Sequence, residues 1–147
     1  MKCFSLVVLV GLVTGPAFAH PGGHEDEYYR PAPKAAAPTA TVIPDTYSGV
    51  VTALREGLTA AETALTASKI ADLHRSCGAM KDLATAAPPK SGFLTAAEQT
   101  TVATTAAHLQ TKVAELVAAA DKGDTTGAKA AITAIRADAD VLAGFAK

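Results

Sequence analysis

The sequence is poor in large aromatic side chains. Its 147 residues include no tryptophan, three tyrosines and four phenylalanines, so aromatic residues make up only 5% of the chain. The hydrophobic fraction of 49% depends instead on 34 alanines. A chain of this length is about one domain, and that domain must be built around a thin core lined by alanine.

Runs of basic residues are also missing. The chain has 13 Lys and Arg against 14 Asp and Glu, and this balance argues against nucleic acid as a partner because a phosphate backbone requires clustered cations. Gly-rich phosphate loops, nucleophile elbows and paired His-Glu helix motifs are absent from the sequence. Asp138 and Asp140 are two residues apart on a predicted helix, so they point to different faces and cannot share a proton. We therefore expect a protein that is not an enzyme.

The N-terminal residues 1–19 have the layout of a secretory signal peptide. The apolar run over residues 6–13 is too short for a membrane-spanning helix, and the small-x-small triplet Ala17-Phe18-Ala19 marks a cleavage site. We expect cleavage after Ala19 and a periplasmic or secreted, soluble protein. No membrane insertion is expected once the signal is removed.

Cysteine is scarce, which limits how the mature protein can be stabilised. Cys3 leaves with the signal peptide, and Cys77 is then the one remaining cysteine. An internal disulfide is excluded even in an oxidising compartment. Stability must come from packing or from a bound ligand.

Residues 20–45 are rich in proline and carry almost no large apolar side chain. Such a segment cannot bury enough surface to offset the entropy lost on ordering the chain. It is predicted to be an extended, flexible Pro/Ala-rich tail that precedes a folded domain over residues 46–147.

The domain over residues 46–147 contains four stretches of apolar residues at helical spacing, and their phase is reset at each junction. Short connections between helices of this length favour antiparallel neighbours, so the sequence predicts an all-α, up-down-up-down four-helix bundle. The predicted inward positions are Tyr47, Val51, Leu54, Leu58, Ala61 and Leu65; Ile70, Leu73, Cys77, Met80 and Ala84; Val102, Ala106, Leu109, Val113, Leu116 and Ala120; and Ala128, Ile132, Ile135, Ala139, Leu142 and Ala146.

Local signals set the predicted helix boundaries. Thr46 or Asp45 can cap the first helix, and Ser68 is predicted to cap the second after a turn near residues 66–69. The second helix must stop before Pro88-Pro89.

The third helix begins at a capping box in which Thr95 and Glu98 satisfy each other's backbone donors. It is predicted to end at the turn Lys122-Gly123-Asp124, after which the fourth helix begins.

The organisation of residues 47–147 resembles the cytochrome b562 family of exported four-helix bundles. The resemblance is carried by the signal peptide and the helix lengths. It is also carried by two sequence passages, Ala84-Thr85-Ala86-Ala87-Pro88-Pro89-Lys90 and Ala118-Ala119-Ala120-Asp121-Lys122-Gly123-Asp124.

In that family, haem iron is held by a methionine near the start of the first helix and a histidine near the end of the last. The matching positions in this sequence are Val51 and Ala143, neither of which can ligate iron. The resemblance therefore implies the scaffold without its usual cofactor, and haem is not expected.

The most distinctive local feature directly follows the signal peptide. If cleavage occurs after Ala19, the free amine and imidazole of His20 can chelate one metal ion together, and His24, Glu25, Asp26 and Glu27 can add donors. Amine and imidazole nitrogens suit copper or zinc. The leading interpretation is a metal-binding or metal-homeostasis protein that takes copper or zinc at these five residues, and the alternative is a solvated polar leader.

A second group of potential ligands lies on the predicted helices. His74, Cys77, Met80 and His108 are the ligand types of a soft copper site. Counting from the intervening turn places His74 and His108 at the same height, about 20 Å along each helix. Their angular positions, however, place both histidines outside the core, which favours two surface histidines beside an ordinary core cysteine and methionine.

Two further functions remain open. One is an electron carrier with haem held in an atypical way by His74, His108 or Met80. The other is a helical interaction module that uses an Ala-rich helix face to form a homodimer or to bind a partner.

Overall fold

The computed structural model describes residues 40–147, which fold as an all-α, up-down-up-down four-helix bundle. The helices are α1 Tyr47–Thr66, α2 Ile70–Ala86, α3 Ala96–Asp121 and α4 Thr125–Ala143, with a 3₁₀ turn Pro88–Lys90 between α2 and α3. Helices that follow one another in sequence pack side by side, and α1 and α4 close the ring. None of these helices combines the length and the apolar character needed to cross a membrane. The signal-peptide prediction and the tail prediction up to residue 39 lie outside the described residues.

Each helix buries one apolar stripe, as the periodicity predicts. All six positions predicted for α3 are buried, which confirms that stripe. Four other inward predictions are wrong: Ile70 is 38% exposed, and Leu65, Ile132 and Ala146 are partly buried. The core positions next to Leu65 and Ile132 are taken instead by Ala64 and Ala131, the residues directly before them. A helix turns by about 100° per residue, so choosing the larger of two adjacent apolar residues misplaces the stripe by that angle.

The predicted N-terminal caps of α1 and α3 are confirmed. Thr46 caps α1 by accepting a hydrogen bond from the Gly49 amide at 3.1 Å. The capping box of α3 is also confirmed, because Glu98 Oε2 accepts from the Thr95 amide at 2.8 Å. These backbone and side-chain hydrogen bonds lower the pKa of Glu98.

The prediction that Ser68 caps α2 is wrong. Ser68 adopts a left-handed backbone conformation, with φ 55°, at the end of a Schellman motif that terminates α1. The Lys69 amide donates to the Ala64 carbonyl at 2.8 Å, and the Ser68 amide donates to the Leu65 carbonyl at 3.1 Å. Lys69 occupies the N-cap position of α2 without a side-chain hydrogen bond.

Gly123 occupies the equivalent position after α3, with φ 70°. There the Asp124 amide donates to the Ala119 carbonyl at 2.9 Å. One motif therefore closes two helices, with glycine in one turn and serine in the other.

Substitutions at Ser68 and Gly123 are expected to change the free energy of unfolding in opposite directions. Glycine adopts positive φ without steric cost, so Ser68→Gly should raise the free energy of unfolding by about 0.5 kcal/mol, whereas Gly123→Ser should lower it by about 1 kcal/mol. Denaturant unfolding followed by circular dichroism measures both. Loss of stability in the Ser68→Gly variant would contradict the left-handed assignment of Ser68.

The register between α2 and α3 differs from that of a simple helical hairpin. Gln110 Nε2 donates to Thr85 Oγ1 at 3.2 Å, and His74 lies beside Asp121. The C-terminal end of α2 therefore meets the middle of α3. Residues 87–95 run alongside the N-terminal half of α3 and bury Ala87, Ser91 and Leu94 there. This connector, together with α2, forms the second column of the bundle.

Candidate functional site

The five residues predicted to bind metal, His20, His24, Glu25, Asp26 and Glu27, lie outside the described residues. The metal site therefore stays a prediction from the sequence. The chain joins the bundle through residues just before α1, where Thr41 Oγ1 donates to Asp82 Oδ2 at 2.8 Å and Lys90 Nζ donates to the Asp45 carbonyl at 3.1 Å. These contacts fix the path of residues 41–46 along the end of α2.

The two histidines of the bundle each pair with an aspartate on a neighbouring helix. His74 Nε2 of α2 lies 2.8 Å from Asp121 Oδ1 of α3, and His108 Nδ1 of α3 lies 2.8 Å from Asp138 Oδ2 of α4. Both imidazoles are about half exposed, at 45% and 52% of the side chain. The prediction of two surface histidines is confirmed.

The prediction that His74 and His108 lie at the same height is wrong. His74 contacts Asp121, which is 13 residues after His108 on α3 and thus about 20 Å further along the helix axis. The shift arises because residues 87–95 extend along α3 instead of reversing the chain immediately. In this geometry the two imidazoles do not form one ligand set.

Cys77 and Met80 point into the core, away from the histidines. Cys77 is 1% exposed and Met80 is fully buried, where its side chain packs against Gly57 of α1. Burial raises the pKa of the Cys77 thiol to about 11, although the nearby Lys81 opposes this shift. A protonated, inaccessible thiol is a poor nucleophile and a poor metal ligand. The predicted roles of Cys77 and Met80 as core residues are confirmed.

The two positions that the resemblance matches to haem ligands, Val51 and Ala143, lie on α1 and α4. Val51 is buried and Ala143 is partly buried. Beside them, Tyr47 donates its hydroxyl to the Leu142 carbonyl at 2.9 Å, and its ring contacts Phe93 edge to face with centroids 5.7 Å apart. Burial raises the pKa of the Tyr47 hydroxyl.

Asp138 and Asp140 point in different directions, as their spacing predicts. Asp138 faces α3, where it pairs with His108, whereas Asp140 pairs with Arg55 of α1 at 2.7 Å. Over residues 40–147, no three His, Cys, Asp or Glu side chains come together as a group that could hold a metal ion.

A groove that the apolar periodicity does not predict lies between the C-terminal half of α1 and the N-terminal half of α4. Its volume is about 800 Å³, and Leu65 and Ile132 form its apolar floor. Lys129 and the ion pair between Glu62 and Arg136 line its sides. The signal that could have revealed it is the pair of dipeptides Ala64-Leu65 and Ala131-Ile132, in which alanine occupies the core position and a larger residue follows.

Comparison with protein-family models, curated proteins and solved structures finds no match to this chain.

Proposed function

We propose that this chain is an exported, non-enzymatic protein that binds copper or zinc in the periplasm or outside the cell. In this proposal, His20 and His24 are the first ligands and Glu25, Asp26 and Glu27 assist with oxygen donors. The observation that carries the proposal is the density of donors in the sequence, five within the eight residues 20–27, directly after a signal-peptide pattern.

The chemistry of the bundle's own ligand types supports this assignment. His74 and His108 are each held by an aspartate, and Cys77 is a buried, protonated thiol. The sulfur and nitrogen ligands of residues 40–147 are thus engaged in packing and interhelical pairing. In this proposal the bundle is a folded carrier that resembles cytochrome b562 in organisation and functions without haem.

Metal titration of the mature protein tests the proposal. Isothermal titration of protein that begins at His20 should give a Kd for Cu(II) or Zn(II) of about 1 µM or tighter near pH 7, and binding should weaken below about pH 6.5 as the imidazoles are protonated. Replacing both ligands, His20→Ala with His24→Ala, should weaken binding by at least about tenfold because the chelating nitrogens are lost.

The bundle supplies a matched control. The double variant His74→Ala with His108→Ala removes the same number of imidazoles from a different part of the chain and should bind metal as the unmodified protein does. Equal heats from the unmodified protein and the His20, His24 variant would remove the hypothesis. Intact mass of the exported protein should show that residues 1–19 have been cleaved.

A further inference from the structure

The groove between α1 and α4 lies along one part of the seam between these two helices. At the other end of the seam, the Tyr47 hydroxyl joins α1 directly to the Leu142 carbonyl of α4. Towards the groove, the helices are linked by exposed ion pairs, Arg55 with Asp140 and Glu62 with Arg136. The resulting volume of about 800 Å³ lies within the range of about 300–1,000 Å³ typical of ligand sites.

The distribution of apolar side chains on both helices favours a ligand in this groove. Ala64 and Ala131 are 5% and 4% exposed and fill core positions, whereas the larger Leu65 and Ile132 are partly buried on the groove floor. The bundle therefore leaves two branched side chains incompletely buried on facing helices. Apolar contact made there by a bound molecule would complete their burial.

Charge distinguishes this groove from its neighbour between α3 and α4. Alanines line the floor of that neighbouring groove, and the charges of its two lysines are balanced by two carboxylates. The lysines are Lys112 and Lys122, and the carboxylates are Glu115 and Asp124. In the α1–α4 groove, Glu62 pairs with Arg136, and Lys129 takes part in none of the ion pairs found in residues 40–147. This leaves an excess of positive charge beside an apolar floor.

The polar and apolar parts of the groove follow one another along its length. Lys129 and the hydroxyls of Ser68 and Thr125 line the end nearest the α1–α2 turn, the apolar floor follows, and Arg136 lies at the other end. Lys129 and Arg136 are seven residues apart, or about 10 Å along α4, so an alkyl tail that starts beside Lys129 passes Ile132 and reaches Arg136.

We infer that this groove binds a single-chain anionic amphiphile. The acidic head group lies against Lys129, Ser68 and Thr125, and the alkyl tail lies between Leu65 and Ile132. This inference is independent of metal binding at the N-terminal segment.

Titration with dodecanoate below its micelle concentration tests the inference on mature protein that begins at His20. We expect a Kd of about 100 µM or tighter, with dodecyltrimethylammonium, which has the same tail and a cationic head, at least about tenfold weaker. Lys129→Glu should weaken dodecanoate binding by at least about tenfold because it replaces the attractive charge with a repulsive one. Lys81→Glu makes the same change on the exposed face of α2 and should leave binding unchanged.

Two further measurements identify the head group that is preferred and the position of the bound ligand. Dodecyl phosphate compared with dodecanoate distinguishes a phosphate from a carboxylate head, and inorganic phosphate should not bind measurably because it has no tail. Amide chemical-shift changes in nuclear magnetic resonance spectra should cluster around Leu65, Ser68, Lys129 and Ile132. The double variant of His20 and His24 should bind dodecanoate as the unmodified protein does. Dodecanoate binding is therefore tested separately from metal binding, and either can fail without the other.

The inference is overturned by any of four results, of which three are affinities. These are absence of dodecanoate binding up to about 1 mM, equal affinity for the cationic amphiphile, or full binding by Lys129→Glu. Chemical-shift changes confined to another surface would also overturn it.

Discussion

Truncating Leu54 to alanine is expected to lower the free energy of unfolding by about 3 kcal/mol, whereas the same truncation at Leu65 should cost about 1 kcal/mol or less. Both residues are leucines on α1, but Leu54 is 1% exposed in the core and Leu65 is partly buried on the groove floor. Removing Leu54 leaves a cavity that a thin, Ala-lined core has few large neighbours to fill. Removing Leu65 takes away a side chain that water already reaches.

Denaturant unfolding followed by far-ultraviolet circular dichroism measures this difference. The dependence of unfolding on denaturant should stay the same in both variants, which would show that the folded and unfolded states keep their compactness. Equal losses at Leu54 and Leu65 would contradict the placement of Leu65 outside the core.

Raising the pH from about 9 to about 11 is expected to destabilise the protein through Cys77. The thiol has a pKa of about 11 in the folded protein against an ordinary value of 9.0. Folding therefore favours the protonated thiol. The stability that this preference gives the folded protein is fully present below pH 9.0 and is lost as the pH rises towards 11. The loss attributable to Cys77 amounts to about 2 to 3 kcal/mol.

The matched variant is Cys77→Ala, which has no thiol to ionise. It should be somewhat less stable near pH 7 because of its smaller volume, yet lose less stability between pH 9 and 11. Tyr47 acts in the same direction at higher pH, since burial raises its pKa, so the two proteins must be compared at each pH. Parallel pH profiles would contradict the burial of the Cys77 thiol. A thiol reagent should also react with Cys77 only after unfolding.

The sequence predicts the helices well because their periodicity is strong. All six inward positions of α3 are correct, as are the caps at Thr46 and Thr95. The prediction for Ser68 is wrong because serine is a favoured N-cap residue, whereas here Ser68 belongs to the motif that ends α1. That motif is held by backbone hydrogen bonds, which side-chain preferences do not predict. Ile132 misleads because periodicity alone cannot choose between adjacent apolar residues of different size.

The periodicity of apolar residues carries no information on how far one helix is shifted along its axis relative to its neighbour. The same apolar stripes on α2 and α3 allow any axial shift by a whole number of turns, so the buried connector over residues 87–95 decides the register. This is why the predicted equal heights of His74 and His108 are wrong although both angular positions are correct. The groove between α1 and α4 is missed for the same reason, since it depends on how two helices that are distant in sequence pack against each other.

The hydrogen bond between Tyr47 and Leu142 joins residues 95 positions apart, whereas the turns after α1 and α3 join helices across a few residues. Closing a long loop costs more chain entropy than closing a short one, so we expect the α1–α2 and α3–α4 hairpins to form before the α1–α4 contact. The bundle is thus two helical hairpins joined by the connector, and transient opening in the native state should begin by parting the α1–α4 seam while both hairpins stay intact.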